Sequence, residues 1–97
     1  MDRIPEPGTL QETETEVRLA PPWNVVVHDD PITLMSYVVM VFRTLFGYPH
    51  GKAHALMMEV HTQGRAVVWT GAREQAELYV HKLHAHRLLA TMEAAGA

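Results

Sequence analysis

The amino-acid sequence predicts an α+β domain, in which three helices cover a small, mostly antiparallel three-stranded sheet in the order β-α-α-β-α-β. Two short runs rich in β-branched residues, residues 24–28 and 65–69, are typical of strands. Apolar residues at helical spacing follow each run. Because three short strands bury an apolar face only when helices pack against it, the pattern favours a single mixed domain.

Residues 1–21 predict a disordered acidic arm ahead of the first strand. Residues 1–20 contain five acidic and two basic side chains, whereas the rest of the chain contains six of each. The formal net charge of −3 therefore lies in the arm. Pro21 and Pro22 are expected to hold the backbone extended where the arm meets the core domain. We expect a core domain over residues 22–93 and a frayed tail over 94–97.

The composition is that of an ordinary globular domain and excludes several classes of protein. The 97 residues are 47% hydrophobic and 20% charged, and they include no cysteine. Disulfides, thiolate metal sites and cysteine catalysis are thereby excluded. No apolar run approaches the roughly 20 residues that span a bilayer. No basic stripe is present, so nucleic acid is not an expected partner. We expect a cytoplasmic protein, monomeric and away from the membrane.

The first predicted helix follows the first strand, with Thr33 as its N-cap and Gly47 as its end. Its core-facing stripe consists of Leu34, Tyr37, Val38, Val41, Phe42 and Leu45.

The second predicted helix opens at Pro49 and stops at Gly64. Its apolar stripe consists of Ala53, Leu56, Met57 and Val60.

After the second strand, Thr70 and Gly71 predict a turn or helix cap. The third helix is predicted to reach about Ala85, with the stripe Ala72, Ala76, Tyr79, Val80 and Leu83. Residues 88–92 predict a short final strand.

The first strand ends in two adjacent carboxylates, Asp29 and Asp30. Acids just before a helix often cap its free N–H groups. At an exposed rim they can also bind a cation, and these two interpretations are equally supported by the residues. No Gly-rich phosphate loop or P-loop lysine accompanies the acids, which disfavours phosphoryl chemistry.

Histidines and methionines are both frequent in this chain. His61 lies near the end of the second helix, where a histidine favours the helix dipole. No paired metal-ligand motif is present among the histidines, so we expect no dedicated metal site and no cofactor. The methionines fill the core or form an adaptable apolar pocket, and the position of Met35 off the main helical stripe favours the pocket.

Three segments of the chain resemble the ClpS family, whose members are adaptors of AAA+ Clp proteases. They are residues 27–35, residues 56–66 and residues 88–93. The middle segment matches the family pattern Leu-Met-x-x-Val-His-x-x-Gly-x-Ala without a gap. The resemblance covers about residues 22–93 and implies the same β-α-α-β-α-β fold.

The resemblance also implies a site that binds the first residue of a substrate protein. Asp29 takes the position of a family asparagine, Asp30 that of an aspartate and His61 that of a histidine; these three would hold the α-ammonium group. The pocket for the first side chain would be formed by Thr33, Met35, Val38, Met57, Val60, Val27 and Leu88 on the final strand. Met35 would exclude β-branched residues.

The function implied by the resemblance is the delivery of N-degron substrates, which begin with Leu, Phe, Tyr or Trp, to a ClpA- or ClpC-type AAA+ unfoldase. Glu74 matches the family's contact acid for the unfoldase, and Tyr79 replaces its usual lysine. The acidic arm would engage the unfoldase. Two other classes of function stay open on the residues alone: a metal-assisted hydrolase using Asp29, Asp30 and the histidines, and a plain protein-interaction domain.

Overall fold

The computed structural model describes residues 20–96. Three strands and three helices follow one another in the predicted order β-α-α-β-α-β. The elements are β1 (Trp23–His28), α1 (Met35–Phe46), α2 (His50–Gln63), β2 (Arg65–Gly71), α3 (Arg73–Ala85) and β3 (Leu89–Ala94). The predicted arm lies outside the described residues except for its last two positions. No helix within residues 20–96 combines the length and the hydropathy needed to cross a bilayer.

The sheet has the order β2-β1-β3, and both neighbours run antiparallel to β1. This confirms the predicted α+β class. The central position of β1 explains its run of valines, because Val25, Val26 and Val27 are almost completely buried. The pairing with β2 shifts between Val25 and Val26, and this irregularity accompanies an inward-facing Val68 that is 2% exposed.

The hydrophobic core lies between one face of the sheet and the helices. Phe42 of α1 and Leu83 of α3 are its largest fully buried side chains, followed by valines. The core residues of the helices fall on the predicted apolar stripes, with Val39 as an addition. Burial of one such side chain contributes about 1.5–3 kcal/mol.

The opposite face of the sheet carries polar side chains beside the exposed Val67 and Leu89, and it covers one buried residue. Arg65 of β2 and Glu93 of β3 form an ion pair of 2.7 Å across β1. Arg65 pairs with His28 in the ladder and Glu93 pairs with Asn24, so their side chains meet above Val26, which lies midway between. This explains why Val26 is fully buried while lying outside the core cluster.

The C-termini of α1 and α2 lie where the sequence predicts them, whereas the N-terminus of α1 differs from the prediction. Gly47 and Gly64 cap the two helices with positive φ of 71° and 86°, as predicted. Thr33 is not the N-cap of α1, because its hydroxyl donates to Asp30 Oδ2 instead. Leu34 takes the cap position and is 71% exposed, so its predicted place in the core stripe is wrong.

Two strand boundaries also differ from prediction. Thr70 and Gly71 belong to β2 and do not form a turn. Gly71 packs closely against Trp69, and a Cβ at this position would meet the Trp69 ring. The final strand covers Leu89–Ala94, so Leu88 precedes it. The ordered chain continues into the predicted tail, where the Ala95 N–H donates to the Pro22 carbonyl.

Candidate functional site

The loop that leaves β1 is held against the C-terminus of α2. The backbone N–H of Asp29 donates to the carbonyl of Gly64 at 3.0 Å. Gly64 adopts the left-handed conformation that ends α2, and this conformation suits glycine because it has no Cβ. The bond therefore brings the two aspartates to the same end of the domain as His61.

Asp30 organises the loop with its own carboxylate. Oδ1 accepts the N–H of Ile32 at 2.9 Å, and Oδ2 accepts the hydroxyl of Thr33 at 3.3 Å. These bonds form a turn before α1, whose own N-terminus receives no side-chain cap. Asp30 therefore caps backbone and side-chain donors of the loop, and it does not cap helix α1. A carboxylate has about four acceptor positions, so Asp30 retains capacity for a ligand.

All ten residues that the resemblance implied for the pocket line a single cavity of about 250 Å³. The cavity is bounded by Val27, His28, Asp29, Asp30, Pro31, Thr33, Met35, Val38, Met57, Val60, His61 and Leu88. Two of these, His28 and Pro31, were not among the expected residues, although both are chain neighbours of the two acids. The volume is below the roughly 300–1,000 Å³ of pockets that hold whole small molecules.

The cavity has an apolar floor and a polar rim. The side chains of the floor are at most 8% exposed and consist of Val27, Val38, Met57, Val60 and Leu88. Asp29 and His61 are exposed and Asp30 is half-buried. Met35, the first residue of α1, is 43% exposed at the mouth. The arrangement suits one apolar side chain inside and one polar group at the rim.

The charge of the rim favours a cation. Within residues 20–96, the ion pairs between side chains join Arg65 to Glu93 and Arg73 to Glu77, and neither includes Asp29 or Asp30. Two carboxylates side by side, with no basic partner in an ion pair among the described residues, make a negative rim. A cationic ligand there would form charge-assisted hydrogen bonds with them.

The structure gives no support to the metal-assisted hydrolase. Among residues 20–96, no three His, Asp or Glu side chains are grouped to hold a metal ion. Two of the histidine side chains make other contacts: His84 Nε2 lies 2.8 Å from the Ala90 carbonyl, and His86 Nδ1 lies 3.4 Å from the Tyr37 hydroxyl. The cavity itself argues against a plain interaction domain that has no pocket.

Leu88 reaches the cavity through an unusual helix end. Arg87 has a φ of 67° and is the single non-glycine residue within 20–96 with a positive φ. The N–H of Leu88 donates to the Leu83 carbonyl, and the N–H of Arg87 donates to the His84 carbonyl. This is a Schellman ending with arginine in place of the usual glycine. It turns the chain sharply after α3 and brings Leu88 into the floor.

The two residues implied for partner binding lie on α3, away from the cavity. Glu74 is exposed in the first turn of α3. Tyr79 is half-buried and packs between the rings of Phe46 at 4.7 Å and Trp69 at 4.9 Å. Tyr79 is therefore part of an aromatic cluster at the edge of the core.

Comparison with known proteins gives one consistent family. The family model described as ATP-dependent Clp protease adaptor protein ClpS matches residues 18–91. An ATP-dependent Clp protease adapter protein ClpS from Mycobacterium marinum is 49% identical, and the match covers 91% of this chain and 89% of the relative. The Streptomyces avermitilis protein of the same name is 46% identical, with 96% of each chain covered.

A solved structure gives the same fold. Agrobacterium tumefaciens ClpS2, determined bound to L-phenylalaninamide, superposes with a TM-score of 0.73 at 24% identity. The superposition covers 76% of this chain and 96% of the relative. The sequence matches, the fold and a cavity lined by the expected residues agree, and the chain belongs to the ClpS family of adaptors of the ATP-dependent Clp protease.

Proposed function

We propose that this chain binds the free N-terminus of proteins that begin with Leu, Phe, Tyr or Trp and delivers them to an AAA+ unfoldase of the Clp system. The observation that carries the proposal is the small cavity with a buried apolar floor and a rim of two carboxylates. Its two halves match the two groups that any such N-terminus presents, an apolar side chain and an ammonium ion.

Physical chemistry supports this match. An α-amino group has a pKa near 8 and is therefore mostly cationic at pH 7. Asp29 and Asp30 would accept its N–H groups, and His61 would accept a further one through an unprotonated ring nitrogen. The floor would add about 1.5–3 kcal/mol for a large buried side chain. Acetylation removes the charge and two of the donors, so an acetylated terminus would bind poorly.

The ligand of the solved relative has the same chemistry. L-phenylalaninamide, bound to Agrobacterium tumefaciens ClpS2, carries a free α-amino group and a phenylalanine side chain. A ligand of this kind suits the cavity of the present chain, because one aromatic ring needs an apolar site and the ammonium needs acceptors at its edge.

For delivery, we propose that the chain acts as a monomeric, non-enzymatic adaptor in the cytoplasm. Its partner would be an unfoldase of the ClpA or ClpC type. Glu74 would contact the unfoldase, with Tyr79 at the edge of the same surface, and residues 1–21 would engage the unfoldase as an acidic arm. The absence of cysteine fits a reducing compartment.

Peptide binding tests recognition. Phe- and Leu-initiated peptides labelled at the C-terminus are titrated by fluorescence anisotropy, both free and N-acetylated. We expect saturable binding of the free forms and a loss of affinity of at least tenfold on acetylation. A peptide with the same composition but serine first is the matched control. Equal binding of free and acetylated peptides would contradict the proposal.

A degradation assay tests delivery. A Phe-initiated reporter is incubated with the unfoldase, the Clp peptidase and ATP, with and without this chain. We expect the chain to accelerate degradation of this reporter and not of one that begins with serine. Glu74→Lys should lower the rate while leaving peptide affinity unchanged, whereas Glu77→Lys on the same helix is the control. Acceleration that is unaffected by Glu74→Lys would remove Glu74 from the partner surface.

A further inference from the structure

A larger groove continues from the candidate pocket along the outer surface of α1 and α2. It has a volume of about 820 Å³, and we call it the helical groove. The lining residues of α1 include Met35, Val39, Met40 and Arg43, and those of α2 include His50, His54, Met57 and Met58. Met35 and Met57 also line the small pocket. The two cavities therefore adjoin at these two methionines.

The part of the helical groove near the pocket is apolar and adaptable. Met35, Met40 and Met58 are 43%, 44% and 37% exposed, respectively, although methionine is usually a core residue. Methionine side chains are flexible and polarisable, so a surface made from them accepts side chains of different shapes.

The far part of the helical groove carries the opposite charge to the pocket rim. Its ionisable lining residues besides Tyr48 are Arg43, His50 and His54, and no Asp or Glu belongs to the lining. The pocket rim carries Asp29 and Asp30. A ligand that spans both cavities would thus find acceptors for a cation at one end and a basic site for an anion at the other.

Helix geometry sets the spacing along this surface. At 1.5 Å per residue, Met40 lies about 7.5 Å and Arg43 about 12 Å beyond Met35 along α1. An extended peptide advances about 3.3 Å per residue. A peptide whose first residue fills the pocket next to Met35 would bring its third residue to Met40 and its fourth or fifth residue to Arg43.

We propose that the helical groove is an extended substrate subsite that binds residues three to five of the N-degron, with a preference for an apolar third residue and an acidic fourth or fifth residue. This inference rests on the function proposed above, because it needs the first residue in the pocket. The occupant is the substrate's own N-terminal segment, since the groove adjoins, at Met35 and Met57, the cavity that would hold the first side chain.

Binding of matched hexapeptides tests the subsite. All begin with phenylalanine; one has leucine third and glutamate fifth, a second has serine third, and a third has lysine fifth. We expect the first to bind about three- to tenfold more tightly than the serine peptide and about two- to fivefold more tightly than the lysine peptide at low salt. Arg43→Glu should reverse the preference between glutamate and lysine, whereas Lys82→Glu, the same charge change on α3, should leave it unchanged.

The thermodynamic coupling between Met40 and the third peptide residue distinguishes a direct contact from a general effect of mutating Met40. Met40→Ser should weaken the peptide with leucine third and leave the serine peptide unchanged, so that the difference appears only when both partners are present. Such coupling is not expected if Met40→Ser merely perturbs the fold. Equal losses for both peptides would overturn the assignment of Met40 to the third residue.

A short ligand distinguishes this inference from the proposed function. Phe-Ser-amide occupies the pocket and does not reach Met40. If it binds and the three hexapeptides bind equally, the subsite inference is overturned while the proposed function stands. If neither it nor the hexapeptides bind, both fail. Self-association that Arg43→Glu abolishes, together with equal binding of the hexapeptides, would assign the groove to a second copy of the chain and would also overturn the inference.

Discussion

Asp30 combines a structural role with its position on the candidate pocket. Its two carboxylate oxygens hold Ile32 and Thr33 in the turn before α1, and the same residue lines the cavity. Replacement by alanine would therefore remove the turn and the charge together. Asparagine separates the two roles, since its carbonyl oxygen can still accept the Ile32 N–H and its amide can donate to the Thr33 hydroxyl.

We accordingly predict that Asp30→Asn weakens the binding of Phe-initiated peptides while leaving the free energy of unfolding nearly unchanged. A charge-assisted hydrogen bond contributes about 1.5–3 kcal/mol, which corresponds to a roughly ten- to hundredfold rise in Kd. Anisotropy and urea unfolding measure the two quantities. Glu77→Gln removes an equal charge far from the cavity; it should leave the peptide affinity unchanged and lower the free energy of unfolding by no more than about 0.5 kcal/mol, because its pair with Arg73 is exposed. Wild-type affinity in Asp30→Asn would exclude an ionic role for this carboxylate.

Met35 governs the width of the pocket mouth. It begins α1 and keeps 43% of its surface exposed while lining the cavity. We predict that Met35→Ala admits peptides that begin with Val or Ile, so that the affinity ratio between Phe- and Val-initiated peptides falls roughly tenfold.

Met40→Ala makes the same truncation on α1, outside the pocket, and is the control for this selectivity change. It should preserve the ratio for peptides with serine at the third position. A ratio that stays unchanged in Met35→Ala would show that other residues exclude β-branched side chains.

The end of α3 offers an independent test of the backbone geometry. Arg87 occupies the left-handed region at φ 67°, where a Cβ is unfavourable. We predict that Arg87→Gly raises the free energy of unfolding by up to about 1 kcal/mol, because glycine adopts this conformation without steric cost. Urea unfolding at a constant m-value measures the change.

Gln75→Gly on the same helix is the matched control for Arg87→Gly. Gln75 is exposed in the first turn of α3, where glycine lowers stability by at most about 0.5–1 kcal/mol relative to alanine. Opposite signs for the two substitutions are the expected result. A loss of stability in Arg87→Gly equal to that in Gln75→Gly would contradict the Schellman ending and its placement of Leu88.

The stability of the domain should depend on pH through Tyr48. Burial, followed by the charge of nearby Tyr79, raises the pKa of Tyr48 above its usual value of 10.0. The Tyr48 hydroxyl also donates to the Val68 carbonyl at 2.7 Å. Since the folded state holds this proton more tightly than the unfolded state, the stabilisation is complete below pH 10 and is lost as the pH rises through the folded pKa.

We predict that the free energy of unfolding falls as the pH is raised above about 10, the unfolded pKa of tyrosine, and that Tyr48→Phe reduces this fall. At pH 7 Tyr48→Phe should be less stable by about 1 kcal/mol because the bond to Val68 is lost. Thermal or urea unfolding from pH 7 to 11 measures both effects. Tyr37→Phe is the control, because it removes another hydroxyl that donates to a carbonyl. It should retain the fall in the free energy of unfolding with pH that Tyr48 causes. If the free energy of unfolding fell with pH equally in Tyr48→Phe and the wild type, Tyr48 would not be the residue responsible.

Features that depend on neighbours in the chain could be predicted well. The valine run of β1, the apolar stripes of the helices apart from Leu34 and the exposed Ala72, and the glycine endings at Gly47 and Gly64 all express local preferences, and the structure confirms them. The predictions for Thr33 and Gly71 were wrong because, at both positions, a contact with another side chain overrides the general preference of the residue type. Thr33 bonds with Asp30 rather than capping α1, and Gly71 makes room for the Trp69 ring rather than forming a turn.

The amino-acid sequence by itself determined the order of the elements, the acidic ending of β1 and the resemblance that assigned residues to a site. The tertiary structure alone decided that these residues share a cavity. Val27, Val60 and Leu88 come from three separate parts of the chain, and they meet because Gly64, the C-cap of α2, lies beside Asp29 and because Arg87 turns the chain after α3. Periodicity reveals which face of an element is apolar, but it carries no information about which distant element covers that face or where a gap is left.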